Sequence, residues 1–236
     1  SRPLDEVYFL MYNPGKEPNP YLPETINDIG YARGFDPGYT EIIKVTNENG
    51  QELAFSPVPH TEFVKLLKYS MDESVYCVKL KTPLAPGEET VLHIDFKVVV
   101  PRVVSVVSRA DKWYYQDTFI LRDAWYPVEA ARTDEDWVFD KFIITPHFLD
   151  RFALTLPKKY TAAVAGEKCS ERVNGELKTV TVTNKNPVGS TAVAFSPHFQ
   201  KASATASDGT EINLYHLQEA RPDQVAYLLD AAVEII

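Results

Sequence analysis

The chain has 236 residues, of which 44% are hydrophobic and 24% charged, with 17 Pro and 10 Gly. That composition supplies a folded core and excludes a disordered or collagen-like chain. The formal net charge of −9 excludes a whole-chain basic footprint for nucleic acid, and no stretch approaches the roughly 20 apolar residues of a membrane-spanning helix.

Residues 13–38 hold Pro14, Pro18, Pro20, Pro23 and Pro37 among four glycines and read as a long ordered loop. A strand is expected over 41–46. It turns at Asn49-Gly50 into a second strand over 52–55, because Asn-Gly reaches the positive φ that tight hairpins need. Residues 74–80 place Tyr76, Val78 and Leu80 on one face. After a turn at Pro86-Gly87, residues 90–100 alternate, with Leu92, Ile94, Phe96, Val98 and Val100 against His93, Asp95 and Lys97. Residues 127–137 read as a second long loop. Phe152, Leu154 and Leu156 form the inward set of the next strand. Hairpins follow around Asn174-Gly175 and Asp208-Gly209. Short strands joined by tight turns predict an all-β, antiparallel architecture. Residues 223–236 read as a helix, with Pro222 and Asp223 at its start and Val225, Leu228, Leu229, Ala232, Val233 and Ile236 near helical spacing. It has no Gly or Asn stop and no basic last turn. The expectation is a polypeptide that continues beyond Ile236.

Signatures of chemistry are sparse. His60, His93, His147, His198 and His216 include no i, i+4 pair, and no C-x-x-C occurs, so no metal ligand set is assigned. No G-x-S-x-G elbow or Gly-rich phosphate loop is present, and no catalytic residue is assigned. Cys77 and Cys169 are too few for a disulfide framework and read as two free thiols or one bridge. Asp134, Glu135 and Asp136 form the densest acidic cluster. It reads as a solvated loop, with a glycosidase pair or a calcium site as the sharper alternatives. Trp113, Tyr114, Tyr115, Phe119, Trp125, Tyr126, Trp137 and Phe139 crowd together, either as core packing or as a stacking platform for sugars.

Several stretches, in order, resemble the N-terminal β domain of aminopeptidase N-type zinc metallopeptidases, the gluzincins. They are "LDEVYFLMYNP" (residues 4–14), "VYCVKLKTPLAPGEETVLHIDFKVVVPR" (75–102), "DAWYPV" (123–128), "DKFIITPHFLDRFALTLPKKYTAAVAG" (140–166) and "AVAFSPHFQKASATASDGTEINLYHL" (192–217). "QVAYLLDAAVEII" (224–236) resembles the first helix of the catalytic domain. The resemblance implies an antiparallel, saddle-like β-sandwich over residues 1–220. It implies the start of a thermolysin-like catalytic domain over 221–236, truncated here. Zinc, the H-E-x-x-H motif and its downstream Glu are then expected beyond Ile236, with no cofactor in this chain. The implied partners are the protein's own C-terminal catalytic domain and a peptide substrate, whose cleft this domain would cap. The family's Gln or Glu before the proline tract maps most nearly to Asp123, implied to bind substrate. Bacterial relatives of the Trp-Tyr-Pro type imply export or membrane association by analogy. A non-catalytic protein-interaction module on the same fold and a carbohydrate-binding β-sandwich remain the alternatives.

Overall fold

Alternating sequence becomes paired strands wherever both partners are long enough to bury one face. The computed structural model describes residues 2–11, 34–36, 38–58, 74–102, 112–122, 125–133, 136–138, 149–164, 166, 168–185 and 192–236. Most of the 13–38 loop, and His60, Asp123, Asp134, Glu135, Phe139 and His147, lie outside them. The chain divides into two compact units. Unit 1 comprises Ser1–Tyr115, Ile120–Phe148 and Pro187–Ala192, and unit 2 comprises Gln116–Phe119, Leu149–Asn186 and Val193–Ile236. Every strand pairing whose register is resolved is antiparallel, as expected of an all-β chain.

Unit 1 opens with β1 (Leu4–Leu10), β2 (Tyr39–Asn47), β3 (Phe55–Pro57), β4 (Val75–Leu84) and β5 (Leu92–Val99). β4 lies between β3 and β1, so Val75, Tyr76, Cys77 and Val78 are all buried, on both faces. β2 pairs with β5 as a second sheet. Val7, Tyr76 and Val78 from the first sheet, with Met11 just after β1, meet Ile42 and Val45 from the second, with Leu53, in one apolar core. This is the sandwich arrangement, two inward faces sharing one filling. A bulge between Ile42 and Lys44 lets both Ile42 and Val45 point inward, leaving Ile43 60% exposed. The outer face sets Glu41 opposite Lys97 and Lys44 opposite Asp95. Gly38 enters β2 with φ +62°, where a Cβ would lie 2.4 Å from the Val99 carbonyl oxygen and 2.6 Å from Pro101.

β6 (Lys112–Tyr115) and β7 (Thr118–Leu121) follow one another across a turn whose two residues, Gln116 and Asp117, both have positive φ, 46° and 61°. Three short strands then replace the expected 127–137 loop: β8 (Val128–Glu129), β9 (Ala131–Arg132) and β10 (Trp137–Val138). β8 extends the first sheet by pairing with Phe9 and Leu10, and β9 pairs with β10. Two-residue strands carry no readable periodicity, which is why the sequence suggests a loop. The 52–55 strand also changes partner. Only Thr46 and Glu52 bridge across the Asn49-Gly50 turn, while β3 pairs with β4. The Asn47 carboxamide oxygen closes that turn by accepting from the Asn49 and Gln51 amides at 3.1 and 2.9 Å.

Unit 2 contains β11 (Arg151–Pro157), β12 (Thr161–Val164), β13 (Lys168–Asn174), β14 (Leu177–Thr183), β15 (Val193–Ser196), β16 (Gln200–Thr205) and β17 (Glu211–His216). β14 runs between β11 and β13. Phe152, Leu154 and Leu156 oppose Val182, Val180 and Lys178 on the inward face. β12 pairs with β15, and Thr118 and Phe119 of β7 lie alongside β15. The Asp208-Gly209 turn joins β16 to β17 as expected. The helix α1 (Pro222–Ile235) starts with Pro at its first position and Asp223 in its first turn, and packs on β16 and β17. Val225, Leu229, Ala232 and Val233 are half-buried, whereas Tyr227 (72%), Leu228, Ile235 (85%) and Ile236 stand in solvent.

Candidate functional site

The tract Trp125-Tyr126-Pro127 leads directly into β8. The Trp125 ring packs tilted against Phe96 at 6.3 Å and edge-on against Tyr126 at 5.0 Å. Its carbonyl accepts a hydrogen bond from the buried Thr40 hydroxyl at 3.3 Å. These contacts fix the backbone that starts β8, where Glu129 pairs with Phe9. Glu129 has an exposed surface, yet the chain crowding its carboxyl raises its pKa by desolvation. Sequence reasoning missed this carboxylate, since a two-residue strand gives it no face. Asp123, two residues before Trp125, lies outside the described residues.

A second group of titratable side chains forms on the outer face of β1 and β4. The register sets Glu6 opposite Lys79 and Tyr8 opposite Cys77. Glu6 accepts from the Tyr8 hydroxyl through Oε1, and from Lys79 and the Cys77 thiol (3.5 Å) through Oε2. The hydrogen bond from Lys79, then that from Tyr8, holds the Glu6 carboxyl below its ordinary value. Burial pushes the Cys77 thiol and the Tyr8 hydroxyl up. A buried, protonated thiol is a poor nucleophile, and the hydrogen bonds of this cluster tie β1 to β4. Tyr8 stacks tilted on Trp137 at 5.3 Å, and the Arg132 guanidinium lies 5.9 Å over the Trp137 ring.

Phe119 stacks on Phe195 at 4.7 Å and also meets Tyr160. Tyr160 and Phe195 meet edge-on at 6.0 Å, so the three rings pack on one another. Among the described residues, Cys77 and Cys169 are free thiols, buried and exposed respectively. No three His, Cys, Asp or Glu side chains among those residues come together as a metal site, and no helix there is long and apolar enough to cross a membrane. The last feature is a groove of about 430 Å³ between β17 and α1, lined by Leu214, His216, Val225, Tyr227 and Leu228 among others.

No known family profile matches the chain, and no curated protein matches it in sequence. Solved structures do match in fold. The M1 zinc metallopeptidase from Deinococcus radiodurans superposes with a TM-score of 0.55 at 14% identity, covering 94% of this chain and 42% of that one. A two-domain M1 zinc metallopeptidase bound to L-arginine gives 0.54 at 13% identity, with the same coverage. A further structure of the Deinococcus radiodurans enzyme gives 0.51 at 15%, covering 91% and 39%. The chain thus spans less than half the length of these peptidases, and at such identities what it shares with them is a fold.

Proposed function

We propose that this chain is the N-terminal, non-catalytic β domain of a zinc-aminopeptidase-like protein. The observation that carries the reading is the fold likeness, which takes in 94% of this chain and only 42% of the M1 metallopeptidase chain. In this reading residues 1–220 form the β domain and 221–236 begin a catalytic domain. The domain's role is to cap the catalytic cleft and restrict it to peptide ends. Its partners are the rest of that catalytic domain, which would cover the exposed apolar side of α1, and a peptide substrate. Zinc, which the following domain would hold, would supply the activation of water for peptide hydrolysis. This chain contributes shape and one carboxylate toward the substrate. Asp123 is the position drawn from the sequence resemblance. Glu129, six residues on, is the described carboxylate nearest in sequence to the Trp-Tyr-Pro tract, and both are to be tested.

The test uses the full gene product. Zinc content near one per chain and hydrolysis of aminoacyl amides are expected, and Asp123→Asn or Glu129→Gln should raise KM at least several-fold with zinc retained. A full-length product that binds no zinc and leaves aminoacyl amides intact overturns the peptidase reading in favour of an interaction module on the same fold. Unchanged KM in both variants removes the two carboxylates from the substrate site.

A further inference from the structure

We draw no further inference here: the strongest candidate, the apolar groove between α1 and β17 lined by Leu214, His216, Val225, Tyr227 and Leu228, belongs to the face already assigned to a following domain, and nothing in the structure shows what covers it.

Discussion

The hydroxyls of Thr118 and Ser196 meet at 2.8 Å inside unit 2, where both residues are almost fully buried. Ser196 Oγ also accepts from the His198 amide at 3.1 Å, so one hydroxyl joins β7, β15 and the turn after β15. Truncating Ser196 to Ala breaks both the contact with the buried Thr118 hydroxyl and the bond from the His198 amide, and should cost about 1–3 kcal/mol. Thr118→Val should cost less, because it breaks one of these contacts and keeps the bond from the His198 amide. A double-mutant cycle by urea unfolding should give a coupling clearly above zero. Additive effects would mean that the two hydroxyls act independently.

The turn at Gln116 and Asp117 asks two residues with side chains to adopt left-handed backbone. That conformation costs roughly 1–2 kcal/mol per non-glycine residue, and Asn or Gly at such positions lessens the cost. Gln116→Gly should therefore raise the unfolding free energy by up to about 1 kcal/mol, and Gln116→Val should lower it. A drop for the glycine variant would show that the Gln116 side chain contributes more than its backbone costs.

Gly38 and Gly50 both have positive φ but differ in surroundings. A Cβ on Gly50 meets nothing within 4 Å, whereas one on Gly38 runs into the backbone at Val99 and into Pro101. Gly50→Ala should cost about 1 kcal/mol for the conformation alone. Gly38→Ala adds overpacking and should cost about 2–4 kcal/mol, as measured by thermal or urea unfolding.

Glu6 and Glu129 should bend the stability profile in opposite directions with pH. The Glu6 pKa is lowered when folded, mainly by Lys79, so its contribution is present above the ordinary carboxylate value and is lost as pH falls through the folded value. The Glu129 pKa is raised by desolvation, so its contribution is present at low pH and is lost as pH rises through the folded value. Urea midpoints between pH 3 and 7 should show a shallower acid loss in Glu6→Gln. Glu129→Gln should show a gain near neutrality and a steeper acid loss. Parallel profiles for all three proteins would contradict both assignments.

The strands legible in the sequence are those where one face is apolar over several residues. Leu92, Ile94 and Phe96 on β5, and Phe152, Leu154 and Leu156 on β11, turn inward as their alternation demands. The Asn174-Gly175 and Asp208-Gly209 turns were legible because their backbone chemistry is local. Partner choice was not. Phe55 pairs with Val78 across the sheet, and not back across the nearby Asn49-Gly50 turn. The Glu6 and Lys79 contact joins positions 73 apart and exists only through register. For the candidate site, the Trp-Tyr-Pro tract could be seen in the sequence, but not the crowding that singles out Glu129. Asp123 rests on resemblance alone.

The bulge in β2 also bears on how the chain tolerates changes in length. Without Ile43, residues Ile42, Lys44 and Val45 would alternate without interruption opposite Phe96, Asp95 and Ile94. Deleting that single codon should leave a folded protein with a straighter edge strand. Deleting Thr181, in a strand paired without interruption on both sides, should exchange the inner and outer faces of half of β14 and abolish folding. Soluble expression and circular dichroism of the two deletions would separate them, and a folded Ile43 deletion would mark β2 as the place where this sheet can lose one residue.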